Sequence, residues 1–158
     1  MRMSWTVPLL LIPLAACDLL GPTSYRLDFQ LIEANGPGKP DPRIADVVDE
    51  LRKTFPFEGY ALGSEFSIAV KPDTEFTKST GTGTDDPRIV YTFNGGFQTA
   101  IDLASPDGDE TLRLRVERGA EPVLETTVGI RPGQTLVLGS VPRNQEATLL
   151  IVVRMVES

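Results

Sequence analysis

The chain contains no histidine. That absence removes the commonest general base, the usual zinc ligand, and every serine–histidine or cysteine–histidine nucleophile. There is a single cysteine, Cys17, so no disulfide can form within the chain. The one tryptophan, Trp5, precedes Cys17, and aromatic residues make up only 7% of the chain. Exposed aromatics are what a sugar-binding face usually relies on, and the segment after Cys17 has no tryptophan to offer. No apolar run reaches the roughly 20 residues that a membrane-spanning helix needs. Basic residues are also outnumbered: 15 Lys and Arg stand against 22 Asp and Glu, a formal net charge of −7. Such a surface repels phosphate backbones and anionic headgroups, which argues against nucleic acid as a partner and against peripheral electrostatic membrane binding.

What remains is ordinary material for a folded domain. The chain has 158 residues, 41% hydrophobic and 23% charged, enough for about one domain with a packed core.

The first 17 residues read as an export signal. Arg2 and the α-amino group supply positive charge. Val7 to Leu14 is apolar but broken by Pro8 and Pro13, and Ala15-Ala16 set small residues before a cleavage point. Leu14-Ala15-Ala16-Cys17 resembles the bacterial lipobox, the pattern recognised by the lipoprotein signal peptidase. That resemblance implies a diacylglycerol on the Cys17 sulfur, cleavage before it, and a signal peptide comprising residues 1–16. Loss of that segment removes Arg2 as its one charged residue and leaves a net charge of about −8. Lipid chains anchor by roughly 0.8 kcal/mol per buried methylene, and two or more hold stably. A lipidated Cys17 therefore implies a palmitate-type anchor in a bacterial cell envelope. In enterobacterial lipoproteins an aspartate at the position of Asp18 resembles an inner-membrane retention signal, a rule other bacteria do not all follow, so inner and outer membrane both stay open.

Residues 17–24 form a tether without periodicity, and 25–158 read as a single β-rich domain. Tyr25, Leu27, Phe29 and Leu31 alternate with Arg26, Asp28 and Gln30, the pattern of a half-buried strand. After the breaker-rich loop Asn35–Pro40, Asp41 is a good N-cap and Pro42 suits a first helical position. Ile44, Val47, Val48 and Leu51 recur at helical spacing, Arg52 and Lys53 suit the negative end, and Pro56 closes a helix of about 41–55. Period two then predicts strands near 59–63, 65–71, 88–94, 97–103, 110–118, 122–130, 134–139 and 146–156. Asn94-Gly95-Gly96, Pro106–Asp109, Arg118-Gly119-Ala120 and Arg131-Pro132-Gly133 read as turns between them. The polar stretch 72–87 reads as a loop excursion. Leu149–Val153 is continuously apolar, as expected of a strand covered on both faces. The fold class is α+β: a mainly antiparallel sheet or sandwich with one packed helix.

Leu27–Glu33, a helix leading into a strand over Val47–Leu62, Thr126–Gly139 with its Gly133-Gln134-Thr135 turn, and Leu149–Val153 together resemble the core domain of bacterial secretins. These are the channel proteins of type II and type III secretion and type IV pilus systems. The resemblance runs in order across 27–156, with the Gly133 region as its most motif-like part. It implies a secretin-like fold, an extracytoplasmic location and a place in an envelope assembly with a protein partner. Ser140 stands where secretins usually carry a second glycine, and the long amphipathic hairpins of a gated pore are absent from the pattern, so no pore is expected.

The chemistry-bearing residues point nowhere convergent. Glu33, Glu58, Glu65 and Asp102 are carboxylates of the type that glycoside hydrolysis needs in pairs, but nothing in the sequence pairs them. Asp46, Asp49 and Glu50 suit a solvated helix face. Asp85-Asp86 and Asp107-Gly108-Asp109-Glu110 are oxygen-rich, as calcium prefers, without an EF-hand pattern. No glycine-rich loop opens a helix to cradle phosphate. The sequence therefore predicts a noncatalytic domain with no cofactor and no metal, with lipidation at Cys17, and with a structural or interaction role. The competing class is an extracytoplasmic hydrolase or a small-ligand or carbohydrate-binding β-sandwich.

Overall fold

A computed structural model describes residues 24–34, 41–81, 90–99, 110–142 and 147–158. The protein is α+β, as expected: the described residues form two four-stranded antiparallel sheets and one short helix. The first sheet runs β2-β1-β8-β7, with β1 at Tyr25–Ala34, β2 at Tyr60–Val70, β7 at Thr135–Pro142 and β8 at Thr148–Glu157. The second runs β3-β4-β5-β6, with β3 at Thr74–Gly81, β4 at Val90–Thr99, β5 at Glu110–Arg118 and β6 at Glu121–Ile130. Helix α1 is Ala45–Thr54, preceded by a 3-10 turn at Pro42–Ile44.

The alternation read from the sequence explains the layering. Leu27, Phe29 and Leu31 of β1 face the second sheet, where Phe93, Leu112 and Leu114 meet them in one fully buried cluster. Phe29 and Phe93 touch with ring centres 5.8 Å apart, and Tyr25 meets Phe97 at 5.4 Å. The opposite face of the first sheet takes the helix: Ile32, Leu150 and Val152 pack with Ile44, Val48 and Leu51. The order of layers is thus helix, first sheet, second sheet. Strand β8 lies in the interior of the first sheet with both faces covered, which is why Leu149–Val153 carries no polar alternation. Asp41 does cap, but it caps the 3-10 turn, accepting from the Arg43 N–H at 3.0 Å; the α-helix proper starts later.

Four expectations about segmentation need correction. Residues 59–63 and 65–71 are not two strands but one, β2, interrupted by a bulge. The register passes from Leu31↔Ser64 to Ile32↔Leu62, so Gly63 is the extra residue. Asn94-Gly95-Gly96 is not a turn; it lies inside β4, which replaces the strands expected at 88–94 and 97–103. The glycines are there for contact rather than for turning. A Cβ on Gly95 would overlap the Phe76 ring, which lies across the strand. Third, part of the supposed excursion 72–87 is strand β3, because Thr74–Gly81 has the β-branched and aromatic residues to pair along β4.

The fourth correction concerns Arg131-Pro132-Gly133. This turn was expected to join antiparallel strands at 122–130 and 134–139. It does link β6 to β7, but those strands do not pair and belong to different sheets. The turn is fastened to β8: the Gly133 N–H donates to the Met155 carbonyl at 2.8 Å, and the Met155 N–H to the Gln134 carbonyl at 3.1 Å. That anchorage pulls the chain from the second sheet into the first. Gly133, at φ +81°, occupies the left-handed region that glycine enters without strain. The turn expected at Pro106–Asp109 lies outside the described residues.

Candidate functional site

Helix α1 covers the end of the first sheet nearest Tyr60, Ile32 and Leu150, and among the described residues no element covers the other end. On that open floor two adjoining hollows share Asp28 and Gln30. One, of about 390 Å³, also takes in Arg26, Glu65 and Ser67; the other, of about 190 Å³, takes in Arg43, Asp46, Thr135 and Arg154. The β alternation that turns Leu27 and Phe29 into the core turns Asp28 and Gln30 onto this floor.

Asp28 is the fixed point of the site. Arg26 donates to both its oxygens, Nε to Oδ1 at 2.8 Å and Nη2 to Oδ2 at 3.0 Å, and the Ser67 hydroxyl donates to Oδ1 at 2.6 Å. Partial burial pushes the carboxyl up, but the hydrogen bonds from Arg26 and Ser67 and the charges of Arg26 and Arg154 hold it below the ordinary carboxylate value. Asp28 is therefore an anion at neutral pH. Arg154 stands in register with it on β8 and is exposed to solvent. Among the described residues no ion pair engages the Arg154 guanidinium. Chemically the floor offers donors and acceptors of both signs, suited to binding a polar or zwitterionic group.

The carboxylates read from the sequence do not converge. Glu33 has the phase of Leu27–Leu31 and lies against Gly63, on the side of the first sheet facing the second. Glu65 pairs across β1 with Gln30 and so projects from the helix side. Opposite faces of a sheet cannot share a substrate. Glu58 is exposed beyond the helix, and Glu50 pairs with Lys53 at 2.6 Å. Asp46 lines the smaller hollow, while Asp49 faces solvent. Among the described residues no group of three or more carboxylates is arranged to hold a metal. Cys17, Asp85-Asp86, Asp102 and Asp107-Gly108-Asp109 lie outside the described residues.

Glu110 ends the oxygen-rich Asp107-Gly108-Asp109-Glu110 stretch and begins the strand expected over 110–118. It is buried, 8% exposed, with Oε1 accepting from the Tyr25 hydroxyl at 3.2 Å and Oε2 unpartnered among the described residues. The signal was present: Glu110, Leu112, Leu114 and Val116 share a phase, so the carboxylate begins the inward face of β5. The edge strands are a second feature missed from sequence. Strands β2, β6 and β7 each carry a bulge, at Gly63, Val123 and Leu138, and β6 and β7 add Pro122 and Pro142. Such devices blunt an edge against indiscriminate pairing. Strand β3 pairs with β4 over eight residues without a shift; its charged residues are Glu75 on the outer face, near Arg113, and Lys78, which leaves the strand on the core side opposite Phe93.

No family model, no curated protein and no solved structure matches the chain.

Proposed function

We propose that the protein is exported, cut before Cys17 and lipid-anchored there, and that its folded part is a noncatalytic, secretin-like interaction or structural domain of a bacterial envelope assembly. The observation that carries this reading is Leu14-Ala15-Ala16-Cys17 at the end of an apolar segment, a short tether ahead of the first strand. Strand β1 begins at Tyr25, and Ser24 accepts a hydrogen bond from the Ser158 N–H at 3.0 Å. The eight residues 17–24 span at most about 26–29 Å when extended. A lipid on Cys17 would hold the Tyr25 end of the sandwich close to the bilayer. The corners at 71–73 and 131–134 would share that end, and the Gly119 turn would lie at the far one.

The test is fractionation. Wild-type protein is expected with membranes, and Cys17→Ser in the soluble extracytoplasmic fraction. Equal membrane association of the two would refute the anchor.

One observation favours a second reading, a small-ligand binder: the two hollows around Asp28, with Arg154 exposed beside them. Saturable binding of a polar ligand, lost in Arg154→Ala, would move the assignment to that class.

A further inference from the structure

We propose that the β3 edge takes up an extended segment of a partner protein as an additional strand, and that Lys78 selects a segment bearing a carboxylate on its core-side face. This deepens the interaction role proposed above and rests on it. Among the described residues only β4 pairs with β3, which leaves its other backbone groups along an unbroken register from Thr74 to Gly81. Such an edge is a template for strand addition, in which main-chain bonds supply affinity and alternate side chains supply specificity. Beside it runs a seam to β2, the edge of the other sheet. The two strands are not hydrogen-bonded as a pair; the Ser64 and Thr80 hydroxyls meet across the seam at 2.9 Å. Phe66, Ile68 and Phe76 line it and are only half-buried. Towards the Tyr25 end the seam opens into a hollow of about 310 Å³ bounded by Ser24, Val70, Thr74 and Phe76. A strand added to β3 would extend the second sheet across this seam, and its core-side residues would cover the three apolar side chains.

Lys78 decides which strand. Its register partner is the buried Phe93, so its side chain starts on the core side, yet it is exposed, and no ion pair engages it among the described residues. An incoming neutral strand would desolvate that ammonium without compensation, whereas a carboxylate would pair with it. A second copy of β3 cannot supply one: its core-side residues are Thr74, Phe76, Lys78 and Thr80. That rules out a β3-to-β3 pairing, and the occupant proposed is an acidic extended segment of a different protein.

The experiment uses the full lipoprotein in detergent and two acetylated, amidated peptides. Both alternate threonine with valine or isoleucine; one has a glutamate on the apolar face, the other a lysine there. Affinity is read by fluorescence anisotropy, and the binding place by amide hydrogen exchange. The glutamate peptide is expected to bind and to protect β3, with the lysine peptide at least about tenfold weaker. Lys78→Glu should reverse that preference, and Lys78→Gln should abolish it without reversing it. The proposal is overturned by protection away from β3, by a preference indifferent to both variants, or by no binding of either peptide. It is equally overturned if the β3 amides not bonded to β4 are protected before any peptide is added, since a second copy or residues 18–23 would then occupy the edge. None of these outcomes touches membrane attachment through Cys17, which fractionation reads separately.

Discussion

The chain crosses between its two sheets twice through short corners, and the seams beside those corners are built differently. At 131–134 the corner leads from β6 to β7, and the two edges close on each other. Gly139 has no side chain, and Leu124 fills the space: a Cβ there would come within 2.7 Å of Leu124 Cδ1. Both edges are also bulged, and both carry a proline. At 71–73 the corner leads from β2 to β3, with the Thr74 hydroxyl donating to the Lys71 carbonyl at 2.6 Å and Asp73 in the left-handed region at φ +59°. There, among the described residues, the edges meet through the Ser64 and Thr80 hydroxyls and leave Phe66, Ile68 and Phe76 partly buried, as Val123, Leu124, Val128 and Leu136 are along the other seam. What separates the two sides is that both strands of one seam are bulged and carry a proline, whereas β3 keeps an unbroken register with a lysine on its core side. In a fold whose remaining edges are blunted, the difference marks where a partner can be received.

The comparison can be sharpened by substitution, starting from a reference away from both seams. Leu51 is 1% exposed beneath the helix, so Leu51→Ala should cost roughly 2–5 kcal/mol in urea unfolding. An unchanged midpoint would place it at the surface. On the closed seam, Gly139→Val must displace Leu124, and overpacking of this kind costs about 1–3 kcal/mol. On the open seam, Ser64→Ala removes one partly buried hydroxyl contact, worth about 0.5–1.5 kcal/mol. A Ser64→Ala loss larger than that of Gly139→Val would reverse the assignment of closed and open sides.

The smallest effect belongs to the open floor of the first sheet. The Asp28 carboxyl is held below its ordinary value, so its contribution to stability is present above about pH 4 and is lost as pH falls through the lower folded value. Asp28→Asn does not titrate. The gap between wild type and variant should be widest near neutrality, under about 1 kcal/mol for a pair so close to solvent, and should shrink towards pH 2. A gap constant across that range would mean that the Arg26–Asp28 pair contributes nothing through its charge.

Periodicity made the layers legible. The alternation from Tyr25 to Leu31, the helical spacing of Ile44, Val48 and Leu51, and the unbroken apolar run in β8 each placed their residues on the correct face. Breakers were where reading failed. Glycine marks a turn, a bulge or a close approach with the same letter, and Gly63, Gly95 and Gly133 are one of each. Only the cross-strand neighbour decides: Glu33 beside Gly63, Phe76 over Gly95, Met155 bonded to Gly133. The candidate site was half legible for the same reason. The alternation in β1 puts Asp28 on the polar face, but its meeting with Ser67 and Arg154 depends on strand order, which no local pattern encodes.

Both corners lie at the end of the sandwich where strand β1 begins, so the setting of the open seam depends on what holds the tether ahead of Tyr25. Intact-mass measurement of the protein extracted from membranes tests this most directly. A chain beginning at Cys17 and carrying the added mass of a diacylglycerol is the predicted result. A chain retaining Met1, or one cut elsewhere with an unmodified Cys17 thiol, would contradict the account.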